Sequence, residues 1–167
     1  MTSLIPVRRA GAAAALLTAL TLFTAPTASA GTRPADASGT QATCQQKSTL
    51  AGSHYSGLQL AKTAKQGGFS GNGWVISVAV SLAESQGRTK AVLVNTDCSH
   101  DRGLWQISNR WHAEVSDAQS VDPVSCAKAA HTISSGGSNW QPWTTYLNGA
   151  YQQFMSRAQA AVKQAGG

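Results

Sequence analysis

The segment Trp74-Val75-Ile76-Ser77-Val78-Ala79-Val80-Ser81-Leu82-Ala83-Glu84-Ser85 constrains the fold more than any other part of the 167-residue chain. Its apolar residues run nearly all round a helical projection and its only charge is Glu84, so other elements must enclose it. A buried strand would give the same pattern, but strands usually run roughly 4 to 8 residues. A run of about twelve favours a buried central helix. The Gly71-Asn72-Gly73 lead-in lacks the Gly-Lys-Ser/Thr of a phosphate loop, so no nucleotide site is expected.

The enclosing elements are also helical. A short amphipathic helix is expected over Gly57–Gln66, with Leu58, Ala61 and Lys62 or Lys65 at helical spacing and Gly67-Gly68 as its stop. Asp122-Pro123 places an N-cap before proline at the first helical position, opening a helix over Val124–Ser134 that Gly136-Gly137 closes. A last helix is expected from about Gly149 to Gln164, with a core-facing stripe of Tyr151, Phe154, Met155, Ala158 and Val162. Only Lys90–Val94 and Gly103–Ser108 read as short strands or a hairpin. With 42% apolar residues and five Trp, one mainly α domain with a buried central helix and at most a short β-hairpin follows.

The first thirty residues stand apart. Arg8 and Arg9 form a positive start, Ala10 to Phe23 are nearly all apolar or small, and Ala28-Ser29-Ala30 is a small-x-small cleavage pattern. Residues 1–30 are therefore expected to be a secretory signal peptide, residues 31–50 a flexible lead, and residues 51–167 the folded domain. A membrane anchor would need about 20 apolar residues, so no stable anchor is expected and the protein is expected outside the cell or at the wall. The Arg pair alone does not separate twin-arginine from general export. The chain carries 13 basic and 7 acidic residues, net +6, and 11 against 7, net +4, without Arg8 and Arg9. This excess suits an anionic polymer, but no basic run or recognition motif supports nucleic acid.

Seven acids leave few candidates for carboxyl chemistry, and only Glu84 and Glu114 are Glu. Glu84 ends the apolar helix, where loss of water and the negative end of the helix dipole both raise a carboxyl pKa. A carboxyl group protonated near neutral pH can act as a general acid. The alternative is a helix-terminal Glu facing solvent.

Ala83-Glu84-Ser85, followed by Gly103-Leu104-Trp105-Gln106-Ile107, resembles the Glu-Ser and Gly-Leu-Met-Gln-Ile motifs of the lytic transglycosylase and goose-type lysozyme superfamily. The chain looks most like its small secreted transglycosylase-like, lysozyme-like branch. Asn95-Thr96-Asp97, Arg110-Trp111-His112 and Trp140-Gln141-Pro142-Trp143-Thr144-Thr145-Tyr146 carry the same resemblance over about residues 55 to 155.

The resemblance implies that Glu84 is catalytic acid and then base on the bond between N-acetylmuramic acid and N-acetylglucosamine of peptidoglycan. It also implies that Ser85 acts on the acetamido group, that Gln106 lines the cleft with Trp105 beside it, and that Tyr146 hydrogen-bonds Glu84. Flat indoles suit the C–H face of a pyranose, so Trp105, Trp111, Trp140 and Trp143 are candidate platforms, at least two of them expected to be structural. A hydrolase usually needs a second carboxylate, for which Asp97 and Asp101 are the candidates. The resemblance gives Asp97 a water-positioning place, whereas the other such place is Ser108 here. A lytic reaction closing a 1,6-anhydro sugar needs only one carboxyl, and the balance favours it over a hydrolytic muramidase.

Three cysteines in an exported chain allow one bridge. Spacing does not fix the pairing; the expected one is Cys98–Cys126, flanking the site, with Cys44 left over. Asn95-x-Asp97-x-Ser99-x-Asp101 resembles the start of a calcium loop but lacks its Gly and Glu, so an Asx-turn is expected instead. His54, His100, His112 and His131 lack metal-ligand spacing; no metal and no cofactor is expected, and a monomer is. Two rivals are a cysteine peptidase using Cys98 or Cys126 with His100 or His131, and a noncatalytic wall-glycan-binding module.

Overall fold

A computed structural model describes residues 43–167. The expected signal peptide lies outside the described residues, as does residue range 31–42 of the expected lead. The architecture is mainly α with a small sheet. Helices α1 (Gly57–Gln66), α4 (Pro123–Ile133) and α6 (Met155–Gln164) pack with α2 (Gly71–Ser85) into one core, and two short helices, α3 (Asp117–Val121) and α5 (Thr144–Leu147), join them. No described helix is long and apolar enough to cross a membrane.

Local sequence sets the helix ends. In α1 the Ser56 hydroxyl accepts from the Gln59 amide while the Gln59 side chain accepts from the Ser56 amide, satisfying donors on both sides of the helix start. Asp122 caps α4 through the Ser125 amide at 2.9 Å, with Pro123 behind it. The last helix begins later than the pattern predicts. Gly149 (φ 78°) starts a 3-10 turn over Ala150–Phe154, and α-helical geometry begins only at Met155.

The central helix is enclosed as its pattern demands: Val78, Ala79 and Val80 are fully buried and Leu82 nearly so. Its fit to the rest depends on small polar residues. Ser77, Ser81 and Ser85, spaced four apart, line one buried face. Ser81 donates to the Leu104 carbonyl at 3.1 Å, and the Ser77 carbonyl accepts from the Trp105 indole at 3.0 Å. The turn at Gly103–Gln106 is thereby fixed against α2. Gly103 is obligatory there: its φ is 76° and a Cβ would fall 1.8 Å from the Ser120 carbonyl oxygen.

Four indoles anchor the core, each with a backbone acceptor for its N–H. Trp74 donates to Ala61, Trp105 to Ser77, Trp140 to Gly137 and Trp143 to Trp105, at 2.8–3.0 Å. Satisfying the indole N–H lets a large apolar ring be buried without stranding a donor. The stripe of Tyr151, Phe154, Met155, Ala158 and Val162 packs into the same core.

The sheet is larger than a hairpin. Strands β1 (Lys47–Thr49), β2 (Val92–Val94), β3 (His100–Arg102) and β4 (Ile107–Ser108) pair antiparallel in that order, with Ser48 opposite Leu93 and Leu93 opposite Asp101. The first strand falls within the segment expected to be a flexible lead, and that expectation is corrected for residues 43–50. Ladder pairing to β2, the Cys44 amide on the Thr96 carbonyl at 2.9 Å and a covalent bridge all order it.

That bridge joins Cys44 to Cys98, not Cys98 to Cys126. Antiparallel pairing of β1 with β2 carries Cys44 to the tip of the β2–β3 hairpin, where Cys98 lies. Cys126 instead faces the core from α4 beneath the Gly103 turn, fully buried and free. Burial pushes its thiol up to about 11. With one cysteine bridged and the other enclosed and protonated, the cysteine-peptidase reading loses its nucleophile.

Candidate active site

Glu84 is the penultimate residue of α2, and Gln86 ends that helix in a left-handed conformation (φ 52°). The helix end opens into a cavity of about 820 Å³ between the β2–β3 hairpin, the Gly103–Gln106 turn, the segment after β4 and the start of α5. That volume lies toward the upper end of the range for ligand clefts, roughly 300 to 1,000 Å³.

The Glu84 carboxyl is half-buried and its pKa is raised to about 7. Burial is the main cause. Asp101, whose negative charge faces the same cavity, adds to it, while a hydrogen bond from the Thr145 hydroxyl to Oε1 at 2.5 Å opposes both. Glu84 thus exchanges a proton near neutral pH with one hydroxyl holding it in place.

The hairpin brings a second set of polar groups into the cavity. Asp97 Oδ1 accepts from the Ser99 amide at 3.0 Å and the Ser99 hydroxyl at 2.6 Å, forming the expected Asx-turn. Its other oxygen pairs with Arg110. These bonds hold Asp97 down to about 2, the Ser99 contacts contributing most. Asn95 donates to both Ser99 Oγ and Asp101 Oδ2 at 3.1 Å. Among the described residues no three His, Cys, Asp or Glu gather as a metal site.

The other residues implied by the motifs divide between cavity and core. Gln106 lines the cavity and is held by two bonds from Nε2, to the Ala91 and Gly103 carbonyls. Trp143 forms part of the wall but is buried. Trp105 and Trp140 lie wholly in the core behind it. Ser85 is also buried away from the cavity, donating to the Ser81 carbonyl and accepting from the Gly87 amide, so it secures the helix end instead of facing a ligand. Only Trp111 of the five indoles is exposed, at 72%, and it lines the cavity.

Tyr146 does not bond Glu84. Its ring stacks on Tyr151 with centroids 4.7 Å apart, and Thr145, its neighbour, supplies the hydroxyl. In the single turn of α5, consecutive side chains point about 100° apart, so one residue of Thr144-Thr145-Tyr146 reaches the carboxyl. Trp143, anchored at the turn's start by its bond to the Trp105 carbonyl, decides which. The signal was present as two threonines directly after a buried aromatic, but depth is not written in the sequence.

A carboxyl with a raised pKa at the end of a buried helix, facing a cleft of mixed polar and apolar lining, is a proton-transfer site. In comparisons with known proteins, no curated protein and no solved structure matches the chain. A family model described as a lysozyme-like domain matches residues 61–145, a little over half the sequence, and spans α2, the hairpin, the Gly103 turn and Thr145. The chain therefore belongs to the lysozyme-like domain family, whose members act on peptidoglycan as glycosidases or transglycosylases.

Proposed function

We propose that the protein is an exported lytic transglycosylase that cleaves the bond between N-acetylmuramic acid and N-acetylglucosamine, with Glu84 as its only essential carboxyl. The observation that carries this reading is the Glu84 pKa of about 7 in a cleft where Thr145 Oγ1 orients the carboxyl. Protonated Glu84 gives its proton to the glycosidic oxygen as the C1–O bond breaks. The resulting carboxylate, stabilised by the Thr145 hydroxyl, takes the proton of the muramyl 6-hydroxyl, whose oxygen closes onto C1. Glu84 ends protonated and no water is consumed. One group serves both steps because its pKa lies near the working pH.

The state of Asp97 supports the lytic branch. Both of its oxygens are engaged, by Ser99 and by Arg110, which makes it a poor holder of an attacking water. Asp101 favours a second reading, a hydrolytic muramidase, since it faces the same cavity as Glu84. Digestion of purified peptidoglycan followed by mass spectrometry separates the two. Anhydromuramyl ends are expected; reducing ends assign hydrolysis instead. Glu84→Gln is expected to lower the rate by about a thousandfold, within the range for loss of a general acid. Full cleavage by that variant would show that Glu84 is not the catalytic acid, and no cleavage by the folded, unaltered protein would leave the glycan-binding module.

A further inference from the structure

Trp111 is anomalous. The other four indoles are buried with their N–H groups satisfied, whereas Trp111 leaves most of its ring in solvent at the cleft margin. It is also held there. The Arg110 guanidinium lies over the ring at 5.1 Å from its centroid, and the same guanidinium is paired with Asp97 on the β2–β3 hairpin. Asp97 is in turn fixed by Ser99, and the neighbouring Cys98 is tied to Cys44. A chain of contacts thus runs from the disulfide through Asp97 and Arg110 to an open aromatic face.

We infer that Trp111 is a stacking platform for an N-acetylhexosamine ring of the glycan strand, and that Asp97 acts as a positioning residue that steadies this platform through Arg110. The inference rests on the glycan-cleaving reading above and adds to it a binding place and a role for Asp97. A cation over one face of an indole leaves the opposite face as a flat apolar surface. A pyranose presents a matching C–H face with hydroxyls around its rim, and the polar side chains of Asn95 and His112 line the same cavity. An aliphatic ligand would instead call for a concave apolar pocket.

Calorimetric titration with a chitin hexasaccharide, using Glu84→Gln as the parent so that nothing is cleaved, tests the platform. Trp111→Ala on that background is expected to bind about tenfold more weakly, and Trp111→Phe to recover part of the loss. Equal affinity of the Ala variant and the parent, or no binding by the parent, overturns the inference. Asp97→Asn and Arg110→Gln, in the otherwise unaltered enzyme acting on soluble glycan strands, should each raise KM by a larger factor than they lower kcat. A collapse of kcat at constant KM in Asp97→Asn would mark a water-positioning carboxylate and overturn the bracing role. Peptidoglycan left uncut by the unaltered protein, together with intact hexasaccharide binding that depends on Trp111, overturns the catalytic reading and leaves the platform standing.

Discussion

The two walls of the cleft are held by different forces. Behind Glu84, the helical wall consists of apolar side chains and four satisfied indoles around α2. Across from it, the sheet wall has strands of two or three residues, an Asx-turn, a disulfide and two arginine–carboxylate pairs, Arg110 with Asp97 and Arg102 with Asp117. Area burial is insensitive to reductant, whereas a disulfide can be reduced and exposed ion pairs are screened by salt. The helical wall therefore sets where the acid stands, and the sheet wall sets how the opposite lip responds to its surroundings.

Loss of the disulfide should separate the walls most. Cys44 and Cys98 are 54 positions apart, for which loop-closure entropy gives about 4 kcal/mol, with measured bridges commonly nearer 2 to 4. The double variant Cys44→Ala/Cys98→Ala is expected to unfold at lower urea, with amides of β1 and β2 exchanging before those of α2. Simultaneous exchange of both walls would abolish the distinction.

Glu84 offers a test from the helical side. Its carboxyl keeps a proton in the folded protein up to about pH 7, whereas the unfolded chain releases it near 4.5. The stability this contributes is complete below the unfolded value and is lost as pH rises through about 7. The full shift corresponds to about 3 kcal/mol, discounted to about 2 for a half-buried group. Urea unfolding of Glu84→Gln should therefore gain about 2 kcal/mol on the unaltered protein between pH 4 and pH 8. A constant difference across that interval would mean the carboxyl is not perturbed.

A smaller effect is expected at the contact closing the cleft from α5. Thr145→Val removes the hydroxyl that favours ionised Glu84, so the alkaline limb of the activity profile should move to higher pH while the rate falls about tenfold, or about 1.4 kcal/mol. A limb that moves down would mean the Thr145 bond stabilises the protonated form. Asp122→Ala gives the smallest change, about 1 kcal/mol of thermal stability from the lost α4 cap. Because that cap lies on the helical wall, its loss should leave the pH profile in place, and a shifted profile would show coupling between cap and cleft.

Legibility in the sequence follows the same division. The bounds of α1, the end of α2 and the start of α4 could be read because caps and periodicity are local. The turns α3 and α5 were missed, since one-turn helices barely exceed the cost of nucleation and persist through tertiary contacts. For α3 a local clue was overlooked: Ser116 and Gln119 form a capping box like that of α1. The burial that raises the Glu84 pKa was legible from its place at the end of an apolar run. The burial of Ser85 and Trp105 and the stacking of Tyr146 on Tyr151 are not legible, because motif spacing gives register along the chain but not distance from the cleft. The bridge was misassigned because it depends on the pairing of β1 with β2, a long-range register that no single segment encodes.

The Cys44–Cys98 bond also gives the chain a topology that bears on how it withstands proteolysis. It closes a covalent ring containing β1, α1, α2 and β2, with Glu84 inside it and Thr145 and Trp111 outside. A protease that cuts one peptide bond within the ring leaves both pieces joined through sulfur, still carrying the acid and its partners as a single molecule. Separating them takes a second cut or a reductant.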